Sequence, residues 1–393
     1  MKKILIFSLA YYPRFVSGAE AAVREITDRI DVSDIEFHMV TLRFDAKDLR
    51  EERVGNIWVH RVGVGPSYLS KILFIPLAVW KGWRLCRKEY MDAAWVLMTY
   101  MLIPMAILRL LRVRIPYVLT LQDGDPYDKV FGRLFIRPFI PLIDYGFRHA
   151  AIIQTISHYL SEWPYKRGYT GAIEVIYNGS DTNDLKDHFS LADVEECKKE
   201  LGKKEGEIYL VNTARLEHQK AYDVVIRALA QLPKHISLLI VGSGTEEAML
   251  RDLVHSLGLD ARVKFTGYID REKVTLYRKA SDIFIGPSRS EGLGNAFLSA
   301  MASRIPVIAT REGGLAEFMF DGASTPGPSK TGWVVQKDSV EDIVRAVEEI
   351  LAQPELVHEV TERARAMVEQ KFNWEHIAKD MREKVFTKVL GEN

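Results

Sequence analysis

The chain has 393 residues, 47% of them apolar and 27% charged, with 53 basic side chains balanced by 53 acidic ones. That length suits two or three domains at about 150 residues each, and the composition is that of a soluble globular enzyme. A formal net charge of zero argues against a nucleic-acid-binding chain, and two distant cysteines, Cys86 and Cys197, exclude a disulfide framework or a zinc site and fit a reducing cytosol, so a cytoplasmic location is expected.

The opening MKKILIFSLAYYPRF joins two lysines to a short apolar run, as a signal peptide does. No small-residue cleavage site follows, and Pro13 and Arg14 interrupt the run, so a first β-strand is predicted instead. Further strands are predicted at EFHMVTL, IWVHRV, AAWVLMT, PYVLTLQ, AAIIQTIS and IEVIYNG, separated by amphipathic helical stretches. The longest uncharged stretch, Ala93 to Leu108, is shorter than the ~20 residues of a spanning helix and is broken by Pro104. A buried strand followed by a buried helix is predicted there, and no transmembrane segment.

Between Ser180 and Glu207 the composition turns polar, which places a domain boundary there: 1–190 and 191–371. A second series of strands then begins, at IYLVNTARL, ISLLIVGSG, VKFTGYI, DIFIGPS, PVIAT and GWVVQ, with DGASTPGPSKTG as a Pro/Gly/Ser loop. The fold class is therefore α/β, two Rossmann-like domains in tandem. Ligands of open parallel sheets bind outside the carboxyl ends of the strands, and two such sheets facing one another across a cleft make the expected binding site. The late segment NWEHIAKDMREKVFTKVL has apolar residues at helical spacing and must cover something.

Most of the chemistry-bearing motifs fall at a predicted strand's carboxyl end. In PSRSEGLGNAFLSAMA the helix is predicted from about Asn295, so Gly292, Leu293 and Gly294 offer backbone amides at a helix N-terminus, a site for phosphate or a sugar hydroxyl. Glu291 would repel phosphate at close range and should face a neutral, hydroxyl-rich ligand beside it; together these describe a nucleotide sugar. A glycine turn with a capping glutamate is the structural alternative. In TARLEHQKAYDVVIRAL, Arg215 lies just past a strand and Lys220 at the start of a helix. A planar fork and a point charge can balance a leaving diphosphate without a metal ion, although each alone would read as a solvated surface charge. VGSGTEEAML places Gly242 in the third turn without the spacing of a dinucleotide fingerprint.

In the first half, VLTLQDGDPYD sets Gln122, Asp123, Asp125 and Asp128 at a strand end. Turn formation beside Gly124 and Pro126 explains these acids better than metal binding, and Asp123 and Asp125 stay candidates for contacting sugar or acceptor. Residues 1–180 carry 24 basic and 18 acidic side chains, a net of +6, against −6 for the remainder. In SYLSKILFIPLAVWKGWRLCRKEY, Lys71, Lys81, Arg84, Arg87 and Lys88 stand among large apolar side chains. This reads either as an interfacial helix on an anionic membrane or as a core helix with a basic solvated face.

Taken together these motifs resemble the retaining glycosyltransferases of family 4, which have the two-domain GT-B fold. The resemblance runs over nearly the whole chain: SGAE, YNGSD, ARLEHQK, VGSGTEEAMLRDLVHSLGL, VKFTGYID, PSRSEGLGNAFLSAMASRIPVIAT, EGGLAE and FNWEHIA. It implies transfer of a hexose or similar sugar from a nucleoside diphosphate sugar, with retention and no metal cofactor, to a glycan or lipid-linked acceptor. It also implies an acceptor domain first, a donor domain second, and a closing helix, 372–393, that returns to the first. Arg215 and Lys220 match the family's diphosphate-binding pair, Glu291 the acid that holds sugar hydroxyls, and Gly292 to Gly294 the loop touching sugar and phosphate. Tyr268, Ile269 and Asp270 lie where the base usually stacks, and Gly18 where the first domain's backbone approaches the diphosphate.

Three positions depart from the family pattern. Ser17 precedes Gly18 where a second glycine is usual, Ser299 stands where a ribose-gripping glutamate is usual, and Gln122 where histidine is frequent. A charged hydrogen bond is worth roughly 1.5–3 kcal/mol and a neutral one about 1, so Ser299 implies a ribose grip about one order of magnitude weaker. Gln122 can donate and accept hydrogen bonds but cannot act as a base near neutral pH. These departures keep two alternatives in view: a nucleotide-sugar-binding protein with weakened chemistry, and a nucleotide-sugar epimerase on the same fold, for which no acid/base pair is evident.

Overall fold

The computed structural model describes residues 1–392 apart from 14–16, 181–184, 186–188 and 323–328, and apart from the side chains of Arg271 and Glu272. Arg14, Asp181 of the YNGSD motif and the middle of the Pro/Gly/Ser loop therefore lie outside the described residues. The chain forms two compact units, Met1–Asn178 with Trp374–Asn393, and Gly179–Asn373.

The first unit is an eight-stranded sheet: β1 (Lys2–Phe7), β2 (Ile35–Leu42), β3 (Glu51–Val54), β4 (Ile57–Val62), β5 (Ala93–Leu97), β6 (Tyr117–Leu121), β7 (Ile152–Thr155) and β8 (Ile173–Val175), in the order 3-4-2-1-5-6-7-8. All neighbours are parallel except β3 and β4. The central strands carry Ile, Leu, Val and Phe on both faces because helices cover both, which is why they read as apolar runs. Its helices are α1 (Gly18–Thr27), α2 (Tyr68–Lys88), α3 (Leu102–Leu110), α4 (Tyr127–Gly132), α5 (Ile140–His149) and α6 (His158–Lys166). The uncharged stretch resolves into β5 and α3, with Pro104 in the first turn, where a missing N–H costs nothing.

β3 was invisible in the sequence pattern. Its residues, EERV, are mostly charged because it is an exposed edge, and it exists by pairing antiparallel with β4 across a turn at Gly55 and Asn56. Gly55 adopts φ 58°, and the buried Asn56 amide donates to the Thr27 and Ile30 carbonyls at 3.0 and 2.7 Å. The segment after Asn373 runs as a helix at Trp374–Asp380, a π-helical turn at Met381–Phe386 and a last turn at Thr387–Leu390. It packs Trp374, Ile377, Met381, Val385, Phe386 and Val389 into the core beneath β1, β2 and β5. Phe386 meets Trp95 edge-on at 5.1 Å between ring centroids.

The second unit is an all-parallel six-stranded sheet of β9 (Ile208–Thr213), β10 (Ile236–Val241), β11 (Val263–Gly267), β12 (Ile283–Gly286), β13 (Val307–Ala309) and β14 (Trp333–Val334), in the order 11-10-9-12-13-14. Helices α7 (Leu191–Glu200), α8 (Tyr222–Gln231), α9 (Glu247–Ser256), α10 (Arg271–Lys279), α11 (Asn295–Ala302), α12 (Val340–Ala352) and α13 (Pro354–Lys371) surround it. The strand order reverses between β9 and β12, so the loops after these two strands flank the switch point of the sheet. Arg215 and Lys220 follow one of these strands and Glu291 follows the other.

Candidate functional site

The loop after β9 passes through a 3-10 turn at His218–Lys220 and enters α8 through Ala221, whose backbone is left-handed at φ 54° and ψ 37°. A non-glycine residue there is strained by about 1–2 kcal/mol, and Arg289 holds the turn in place. Its backbone N–H donates to the Gln219 carbonyl at 2.7 Å, and its guanidinium donates to the His218 carbonyl at 2.8 Å, Asp223 Oδ2 at 2.8 Å and Asp338 Oδ1 at 2.6 Å. This clasp was not legible in the sequence, because an arginine among serines gives no hint of four partners from two other segments.

The turn brings the Lys220 ammonium onto Glu291 Oε1, which also accepts from Ser288 Oγ at 3.0 Å. Both members of the pair are sheltered, with side-chain exposures of 16% and 7%. An ion pair with so little water is maintained by its mutual charge, since either member alone would be desolvated without compensation. Two residues read from sequence as facing different parts of a ligand thus face one another. Arg215 lies five residues before Lys220 on the same loop, exposed, its guanidinium without a hydrogen bond or ion pair among the described residues.

Glycines make this crowding possible. Gly294 opens α11 at φ 103°, a conformation that favours glycine. A Cβ on Gly313 or Gly314 would run into the carbonyl of Glu291 or Gly292, and the Gly314 N–H donates to the Glu291 carbonyl at 2.9 Å. The EGG that follows β13 is therefore the support of the EGLG loop. Gly242 and Gly244 act similarly on the other side: a Cβ on either would strike the Ala214–Leu216 backbone, so the third turn presses against the loop that carries Arg215. Leu293 and Ser299 are buried, Ser299 as the fifth of the eight residues of α11. Tyr268 is 62% exposed after β11, with Ile269 half-buried and Asp270 exposed at the entry to α10.

In the first unit Gly18 is the exposed first residue of α1, and Ser17 caps it, its N–H donating to Glu20 Oε2 at 2.8 Å. Gln122 and Asp123 follow β6 and are both buried. Gln122 Oε1 accepts from Asn178 Nδ2 at 2.9 Å, and Asp123 Oδ2 accepts from Thr99 Oγ1 at 3.2 Å. Burial pushes the Asp123 carboxyl up to about 6, the Thr99 hydrogen bonds opposing it. Asp125 turns away from this pair to Arg133 Nη2 at 2.7 Å and Lys129 Nζ at 2.9 Å. Among the described residues no three His, Cys, Asp or Glu side chains are grouped as metal ligands.

The profile "Glycosyltransferase Family 4" matches residues 16–184 and the profile "Glycosyl transferases group 1" matches residues 193–367. The chain belongs to glycosyltransferase family 4.

Among relatives of this family 4 chain, a GDP-mannose-dependent alpha-(1-6)-phosphatidylinositol monomannoside mannosyltransferase of Mycolicibacterium smegmatis is 36% identical over 155 residues, 37% of this chain and 39% of that protein. An uncharacterised glycosyltransferase of Methanocaldococcus jannaschii is 28% identical over 210 residues, 53% of this chain and 52% of that one. The chain thus spans about half or less of the length of these curated relatives. The solved sucrose-phosphate synthase of Thermosynechococcus elongatus superposes with a TM-score of 0.85 at 21% identity, over 100% of both chains, which establishes the GT-B fold. Sequence reasoning on the family 4 chain missed Arg289, Ser288, Thr99 and Asn178. Each acts by folding contact; Ser288 and Arg289 stood inside the PSRSEGLG motif and Asn178 inside YNG, stretches that could have drawn attention to them.

Proposed function

We propose that this chain transfers a hexose-type sugar from a nucleoside diphosphate sugar to a glycan or lipid-linked acceptor, with retention of configuration and without a metal cofactor. The observation that carries the reading is the sheltered Lys220–Glu291 pair at the switch point of the second sheet, with Arg215, unpaired among the described residues, on the loop of Lys220 and the amides of Gly292–Gly294 on the loop of Glu291. The diphosphate draws on Arg215, Lys220 and the loop amides as charge builds on it during cleavage of the glycosidic bond. Glu291, released from Lys220, accepts hydrogen bonds from sugar hydroxyls. Tyr268 offers a face to the base, with Ile269 and Asp270 beside it, and Gly18 is the first unit's candidate for binding the donor. Retention follows from attack on the face the phosphate leaves, its oxygen helping to deprotonate the acceptor. The Mycolicibacterium relative is named for a nucleotide-sugar donor and a lipid-linked acceptor, the same pair of substrate classes.

Replacing Lys220 or Glu291 by Ala should lower turnover of a nucleotide sugar by roughly 10²–10³, the scale of losing one transition-state donor. Unchanged turnover in folded variants refutes the assignment, and loss of activity in EDTA with recovery in magnesium refutes metal independence. Retention of a labelled nucleotide sugar without transfer or hydrolysis would instead favour the weakened binder suggested by Ser299 and Gln122.

The same proposal includes association with an anionic membrane face. Along α2 the exposed side chains of Leu69, Ile72, Leu73 and Trp80 form a stripe, and the Tyr68 ring meets Phe135 edge-on at 5.3 Å, extending it to Leu134. The helix has five basic residues and no acidic one. No helix among the described residues is long and apolar enough to cross a membrane, so this surface would lie on one. Flotation with phosphatidylglycerol vesicles but not phosphatidylcholine vesicles, reversed by salt, is the expected result; equal recovery with neither lipid removes this part of the proposal.

A further inference from the structure

The polar groups at the carboxyl ends of β6 and β8 say which end of the Gln122 amide a ligand meets. Gln122 is the first residue after β6 and is nine-tenths buried, with 9% exposure, and Asn178 lies three residues beyond β8 with 3% exposure. The Asn178 Nδ2 donates to Gln122 Oε1 at 2.9 Å. A primary amide has one accepting end and one donating end, so this bond engages the accepting end. The Gln122 Nε2 has no hydrogen-bond partner among the described residues and is not enclosed with the buried polar atoms that lack one. Its neighbour Asp123 is held separately, by the Thr99 hydroxyl at 3.2 Å and the Thr99 backbone N–H at 3.4 Å, so the two side chains of this turn are fixed independently.

We propose that Asn178 is a positioning residue that fixes Gln122 as a pure donor, its Nε2 group offered to an oxygen of the bound sugar or phosphate. The role rests on the proposed glycosyl transfer and deepens it, by stating the polarity with which the first unit meets its substrate. Because an amide does not ionise, this contact contributes no pH dependence of its own. The reverse arrangement, with Nε2 donating to Asn178 Oδ1, would turn a carbonyl to the substrate and has opposite consequences for substitution.

Asn178→Asp discriminates them. An aspartate cannot donate, so Gln122 would turn to donate to it and present Oε1, and kcat/KM should fall about tenfold or more, the scale of one lost hydrogen bond facing a buried acceptor. In a Gln122→Ala background the same Asn178→Asp change should have no further effect. Gln122→Glu should be impaired near neutral pH and recover towards wild type in acid, where a carboxylic acid regains a donor. Nucleoside diphosphate affinity by calorimetry, which reports on the second unit, should be unchanged in all of them. Wild-type kcat/KM in Asn178→Asp, or an equal loss in the Gln122→Ala background, overturns the positioning role. A wild-type chain that binds nucleotide yet transfers no sugar overturns the functional reading itself, and the two failures are told apart by that one control.

Discussion

Removal of the Lys220 ammonium should destabilise the second unit as well as abolish turnover. Without it, Glu291 is left as a carboxylate 7% exposed with one remaining side-chain partner among the described residues, the Ser288 hydroxyl at 3.0 Å. Breaking a buried pair by deleting one member costs about 3–5 kcal/mol. The lower end applies here, since water reaches the Lys220 side and can solvate part of the orphaned charge. A loss of about 3 kcal/mol in a domain of this size lowers the melting temperature by roughly 6–12 °C. The double variant Lys220→Met with Glu291→Gln removes both charges and keeps an acceptor for Ser288, so it should recover at least half of that loss while staying inactive. Glu291→Gln alone frees Lys220 and should leave nucleoside diphosphate affinity intact or stronger, while turnover of the nucleotide sugar falls. Differential scanning calorimetry and titration calorimetry on the four proteins check this. A Lys220→Ala chain that melts with wild type would show that the pair contributes nothing to stability, and an active double variant would show that it has no chemical role.

Three further expectations come from neighbouring parts of the structure. His60 is buried against β2, and burial, reinforced by Lys81, pulls it down to about 4 despite its contact with Glu51. A folded value below the unfolded one of about 6.5 means stability that is full above pH 6.5 and lost as pH falls towards 4, on the order of 3 kcal/mol; His60→Gln should flatten this acid loss in a melting-temperature series, and a parallel series refutes it. Gly314→Ala places a methyl group against the Gly292 carbonyl and should abolish turnover and lower nucleotide affinity with the first unit still folded, read by calorimetry and near-ultraviolet circular dichroism. Arg289→Ala releases the turn at His218–Lys220 and should weaken nucleoside diphosphate binding about tenfold; unchanged affinity would mean that the left-handed Ala221 holds the turn without its clasp.

The α/β class and thirteen of the fourteen strands among the described residues were legible in the sequence because buried parallel strands must be apolar on both faces, and that leaves runs of Ile, Val and Leu no other element requires. The edge strand β3 was not, since an exposed edge is free to be charged and owes its conformation to the partner it pairs with. The same division runs through the site. The glycines of EGLG and EGG and the positions of Arg215, Lys220 and Glu291 could be read in order along the chain, because close backbone approach and charge neutralisation restrict which residue types are usable. Only tertiary structure could decide that Lys220 meets Glu291, that Arg289 ties three loops together, that Asp125 serves Arg133 and Lys129, and that Asn178 faces Gln122. These are contacts between residues up to 71 positions apart. Local sequence sets which groups a loop carries, whereas the distance between two loops is set by how the strands beneath them are ordered in the sheet.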